Sequence, residues 1–127
     1  MIAAKSLEPD IVAMNSVRAP AVAGAFYPGT FAALQSQLLQ MLASARIADA
    51  RRPKALIAPH AGYVYSGPVA ACAYAHLAGH RNDYSRVVLL GPAHRVRVRG
   101  LALPASTSFA TPLGEVSLDR DAAQALR

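Results

Sequence analysis

Two histidines stand at positions suited to chemistry. His60 closes "ALIAPH" and His94 closes "LLGPAH", so each imidazole follows an apolar run and a proline. A connection that only reverses the chain needs glycine or proline and has no use for an imidazole. Here proline and glycine fix the backbone and let it approach a small bound object closely. Neutral imidazole ligates iron, copper, zinc and nickel, so a metal shared by His60 and His94 is the leading use of the pair, with an acid–base pair second. Tyr63 and Tyr65 follow in "AGYVYSG". Tyr63, the nearer to His60, is a candidate phenol donor beside substrate or ligand; equally, either phenol is a wet cap on the core. Ser66 reads as a helix-capping oxygen rather than a nucleophile, because no base-and-orienter arrangement surrounds it. No catalytic residue is assigned.

The elements that must position the histidines read as a βαβ unit. "KALIA" (54–58) is a short buried strand, Gly67-Pro68 opens a helix that runs to Gly79, and "RVVLL" (86–90) is a second strand closed by Gly91-Pro92. A right-handed crossover makes the two strands parallel, so both end on one edge of the sheet. Neighbouring strand ends lie about 5 Å apart, and the carboxyl edge is where open α/β sheets hold ligands. His60 and His94 are therefore expected to converge there. Cys72 and His76, four apart on the helix, resemble half a metal site by spacing. Each residue along the helix adds about 1.5 Å away from the ligand edge, so Cys72 is expected in the core, remote from both histidines, with His76 and His80 near the far end.

Around this unit, "VRAPAVAGAFYPGTF" reads as an irregular segment that packs Phe26 and Tyr27 inward. Thr30 caps a helix through about Arg46, with Phe31, Leu34, Leu38, Met41, Leu42 and Ala45 forming its apolar stripe. "RVRGLAL" and "GEVSL" are further strands, and Asp119 caps a helix in "DRDAAQALR". The fold class is α/β: a three-layer-type open mixed sheet around a βαβ core. Residues 1–16 are a flexible lead-in, and 17–127 carry the domain.

Composition narrows the functional classes. The chain has 127 residues, one cysteine and a net charge of +6. No uninterrupted apolar stretch reaches the roughly 18 residues of a membrane span. Glu8, Pro9 and Asp10 interrupt any signal-peptide core, and a single cysteine excludes an internal disulfide framework. A cytoplasmic protein with no membrane partner is expected. The basic run Arg95, Arg97 and Arg99 alternates with valines and reads as a solvated strand face, or else as an anion-binding rim beside His94. No aromatic residues are interleaved with it, so nucleic acid is not expected as a partner.

At "GAFYPG", "APHAGYVYSG", "GPAH" and "TPLGEV" the sequence resembles the Memo-like family, known in prokaryotes as AmmeMemoRadiSam system protein B. These motifs stand in the family's order and extend from about Val17 onward. The resemblance implies a fold related to the class III extradiol dioxygenases, which hold non-haem iron with two histidines and a carboxylate. It also implies that His60 and His94 are metal ligands, with a cysteine further along completing the set. Cys72 does not match that cysteine, and family members are considerably longer, which reads this chain as a fragment carrying the N-terminal part. Iron or copper is the implied cofactor, an unidentified small molecule the implied substrate, and metal-dependent, dioxygenase-like oxidation the implied enzyme class. The alternative is a non-catalytic interaction or scaffolding module with a protein partner. Should a third ligand lie within these residues, Glu115 is the first candidate, since a carboxylate is the usual partner of two histidines at non-haem iron.

Overall fold

Thr30 holds an extended backbone, and the next fourteen residues wind into α1 (Phe31–Ser44). A computed structural model describes residues 16–47 and 51–125 of the chain. Thr30 occupies the cap position without a side-chain cap bond; its carbonyl accepts the Leu34 N–H at 3.0 Å and so begins the helical ladder. Of the apolar stripe, Leu34 is buried and Leu38 and Met41 are half-buried, whereas Phe31 and Leu42 are exposed.

The second helix, α2 (Tyr63–Ala75), begins earlier than the Gly67-Pro68 reading placed it. Gly62 supplies the turn instead. Its carbonyl accepts from the N–H groups of both Tyr65 and Ser66, while the Tyr63 N–H donates to the Phe26 carbonyl at 2.7 Å. Pro68 consequently sits inside the helix. A proline there removes the bond to the carbonyl four residues back, which belongs to Val64, an exposed residue. Gly67, Ala71 and Ala75 recur at four-residue steps on one face of α2, and all three are buried. That small-residue face lets α1 come close: a methyl group at Gly67 would stand 2.7 Å from Met41 Sδ. Among the described residues, the buried apolar side chains Leu34, Ala71 and Ala75 all belong to this α1–α2 seam.

Among the described residues the sheet has three strands in the order β1 (Val17–Arg18), β2 (Ser108–Thr111) and β3 (Gly114–Ser117), with β1 parallel to β2 and β2 antiparallel to β3. The "TPLG" stretch closes the β2–β3 hairpin, pairing Thr111 with Gly114 around Pro112 and Leu113. Thr111 Oγ1 accepts from the Leu113 N–H at 3.1 Å and donates to the Gly114 carbonyl at 2.9 Å. Gly114 has φ +133°, a conformation that side chains disfavour. The Arg18 guanidinium lies 5.3 Å from the centre of the Phe109 ring across the β1–β2 pair. Asp119 caps α3 (Arg120–Gln124) by accepting the Ala122 N–H at 2.9 Å, as expected, and also pairs with Arg86 at 2.8 Å.

The chain is thus mixed α/β with a mixed sheet, but not every expected strand is present. Residues 54–58, 86–90 and 95–101 form no ladder among the described residues. A run becomes a strand only when another backbone meets its N–H and C=O groups, and no described strand lies against these three. Two side-chain expectations also change: Phe26 is 50% exposed rather than packed inward, and Cys72 is partly exposed rather than buried. Of the lead-in expected over 1–16, residues 1–15 lie outside the described part. The Ser16 carbonyl accepts from the Thr107 N–H at 2.9 Å and its hydroxyl at 3.2 Å. No helix among the described residues is long and apolar enough to cross a membrane.

Candidate metal centre

His60 and His94 meet. Their Nε2 atoms lie 3.1 Å apart, with ring centres 5.3 Å apart and planes inclined at 48°. The runs that deliver them, 54–58 and 86–90, are also tied together at their other ends. There the Tyr84 hydroxyl donates to the Pro53 carbonyl at 2.6 Å, and the Arg52 guanidinium lies 5.9 Å from the Tyr84 ring centre. Two contacts, one near the start and one past the end of each run, tie the runs together without ladder bonds between them. Tyr84 is a positioning residue that the sequence reading missed, since a lone loop tyrosine carries no signal of its distant acceptor.

The 3.1 Å separation can be tested against metal geometry. Two donors bound cis to one ion at about 2.1 Å each stand about 3.0–3.4 Å apart, depending on the angle between them. The nitrogen pair falls in that range. The same contact also serves as an N–H···N hydrogen bond when one imidazole carries its proton on Nε2 and the other does not. Both side chains are exposed, so solvent reaches the pair freely.

Beside His60 lies a cavity of about 510 Å³ between the α1–α2 seam and the turn that precedes α1. Phe26, Tyr27, Met41, Tyr63 and Tyr74 line it together with His60. Tyr63 starts α2, and its ring stands 5.7 Å from that of Tyr27. Burial pushes the Tyr63 phenol above its ordinary value, and neighbouring Tyr27 and Tyr74 add to the shift, so at neutral pH it is a protonated donor. Ser66 donates to the Ala61 carbonyl at 3.1 Å, which ties the loop after His60 to the first turn of α2. Its hydroxyl therefore braces the loop rather than capping the helix N–H groups.

The remaining candidates lie elsewhere. Cys72 is nine residues into α2, about 14 Å along the axis from Tyr63, and His76 caps the opposite end of that helix. His80 pairs with Asp83 at 3.0 Å. Glu115 is exposed on β3. Among the described residues no group of three or more histidine, cysteine, aspartate or glutamate side chains could hold a metal ion, so neither Cys72 nor Glu115 joins the histidine pair. Arg95, Arg97 and Arg99 are all exposed and lie off any strand, so they do not share the strand face their alternation implied.

With this geometry in hand, comparison with known proteins is decisive for ancestry. The family model described as "Memo-like protein" matches residues 18–127. The chain belongs to the Memo-like family. It is 39% identical over 117 residues to a MEMO1 family protein of Methanothermobacter thermautotrophicus, a match covering 87% of this chain and 42% of the relative. A MEMO1 family protein of Aquifex aeolicus is 37% identical over 103 residues, covering 81% of this chain and 37% of the relative. The protein memo-1 homolog of Caenorhabditis elegans is 38% identical over 112 residues, covering 87% and 31%. This Memo-like chain therefore spans about two fifths or less of the length of the curated relatives it matches.

Proposed function

We propose that this Memo-like chain uses His60 and His94 as two imidazole ligands of a redox metal, iron or copper, in a cytoplasmic oxidoreductase whose substrate is a small molecule. The observation that carries the reading is the 3.1 Å approach of the two Nε2 atoms. Bound there, such a metal would supply one-electron chemistry. The chain's own part is to bring two imidazoles together, through the Tyr84–Pro53 clasp at one end and the Ser66–Ala61 brace beside His60. The Tyr63 phenol, kept protonated, offers a hydrogen bond on the cavity side of His60. The cavity admits a molecule of modest size against a mainly aromatic and aliphatic lining.

Two ligands make a weak site. Comparable sites use three protein ligands to fix geometry and exclude the wrong metal. Titration of the chain with Fe²⁺ under anaerobic conditions, and separately with Cu²⁺, is expected to give one ion per chain with micromolar or poorer affinity, about −8 kcal/mol or smaller in magnitude. His60→Ala and His94→Ala should each weaken it at least tenfold. Equal affinity in wild type and both variants would overturn the assignment. Tight binding lost in both would show that a third ligand already lies within these residues. A second reading, a non-catalytic interaction module, is favoured by the apolar residues exposed over 87–90, and it requires both variants to keep partner binding intact.

A further inference from the structure

Tyr27, Tyr63 and Tyr74 all line the cavity beside His60, and none of their hydroxyls has a hydrogen-bond partner among the described residues. A tyrosine shielded from water ordinarily finds one, as Tyr84 does at the Pro53 carbonyl. The rings of Tyr27 and Tyr63 stand 5.7 Å apart with planes inclined at 41°, and both Tyr27 and Tyr74 push the Tyr63 phenol upward, so the three groups act on one another across the same space. Tyr63 keeps its proton at neutral pH and is a donor. Two other polar groups of the lining are already engaged. The Ser66 hydroxyl donates to the Ala61 carbonyl, and His60 Nε2 meets His94.

The rest of the lining sets the charge and shape of what can enter. Among the described residues no lysine, arginine, aspartate or glutamate lines the cavity. A carboxylate or ammonium group would lose its water there with no opposite charge to replace it. Phe26, Met41 and the tyrosine rings offer flat and polarisable surface, which suits an aromatic ring. A carbonyl oxygen is the acceptor that serves more than one phenol, because it has two lone pairs and no proton that needs an acceptor in return. The volume of about 510 Å³ lies in the range of small-molecule sites. We infer that the cavity binds a neutral aromatic carbonyl compound, with its ring against Phe26 and Met41 and its oxygen accepting from Tyr63 and from Tyr27 or Tyr74. That this compound is also the substrate class rests on the reading of the histidine pair proposed above.

NMR titration of the isotopically labelled, metal-free chain tests this. Acetophenone is the probe, ethylbenzene its counterpart without an acceptor, and benzoate its charged counterpart. Acetophenone should shift amide signals around Phe26, Tyr63 and Tyr74, and bind at least about tenfold more tightly than benzoate. Tyr63→Phe removes only the hydroxyl. It should weaken acetophenone about tenfold and change ethylbenzene by no more than about twofold. Tyr27→Phe or Tyr74→Phe should act in the same direction. The inference is overturned by the absence of any shift up to the solubility limit of acetophenone, or by benzoate binding as tightly. It is equally overturned if, in all three phenylalanine variants, acetophenone is unaffected or is lost in step with ethylbenzene. His94 does not line the cavity, so His94→Ala should keep the response of acetophenone to Tyr63→Phe whatever becomes of metal binding. Failure of the metal reading would leave that result standing, and its loss in His94→Ala would count against the cavity as the site.

Discussion

Gly67 sets the distance between the two helices that flank the cavity, and enlarging it should strain one identifiable contact. A β-carbon there would lie 2.7 Å from Met41 Sδ, 3.6 Å from Met41 Cε and 3.3 Å from Tyr63 Cβ. Ordinary contacts between such atoms begin at about 3.5 Å, so the methionine tip must retreat by roughly 1 Å. In Gly67→Ala the loss of glycine's freedom inside a helix returns about 0.5–1 kcal/mol, and the flexible thioether can move at modest cost. The net effect should be within about 1 kcal/mol of zero. Gly67→Val adds two more methyl groups and β-branching against Met41 and Tyr63, and overpacking of this kind costs about 1–3 kcal/mol. The decisive comparison is the double variant. Met41→Ala removes the obstructing sulphur, so Gly67→Val should cost at least about 1 kcal/mol less on that background than on wild type. Urea denaturation followed by far-ultraviolet circular dichroism reads this directly, since the chain has no tryptophan to report by fluorescence. Additive costs, equal within about 0.5 kcal/mol on the two backgrounds, would refute the claim that Met41 limits the approach.

Tyr63 should make the fold alkali-sensitive. Its phenol is raised above 10.0, chiefly by burial, so the folded state holds the proton longer than the unfolded chain. Stability from this group is complete below pH 10 and falls as pH rises through the folded value; Tyr63→Phe should flatten that decline in a melting-temperature series, and an unchanged slope would count against it. Asp119 both caps α3 and pairs with Arg86. Asp119→Ala should fray residues 120–124, with loss of the cap costing about 0.5–2 kcal/mol locally and the exposed ion pair adding little. Asp119→Asn should retain most of the cap while losing the charge. Hydrogen exchange over α3 distinguishes the two variants, and equal protection in both would refute a contribution from the cap bond.

What was legible in the sequence was local. Thr30 and Asp119 mark helix starts because entry into a helix is settled within a few residues, and "GEVSL" reads as a strand that the structure pairs with Ser108–Thr111. The meeting of His60 and His94 was legible for a different reason: two apolar runs of similar length, each ending in proline and histidine, leave few ways for their ends to lie apart once the runs are held side by side. The start of α2 was misplaced because Gly67-Pro68 is a strong punctuation signal on paper. The bonds from Tyr65 and Ser66 to Gly62, and from Tyr63 to Phe26, outweigh it in the fold. Strand pairing was the least legible feature, because a ladder depends on what lies alongside. Val17 and Arg18 have little strand character, yet they pair with Ser108 and Phe109 some ninety residues later, as the Ser16–Thr107 contact across 91 positions illustrates. Conversely, "VVLL" has the composition of a buried strand and lies bare among the described residues. Composition reports the environment a segment is suited to, whereas the structure reports the environment it has.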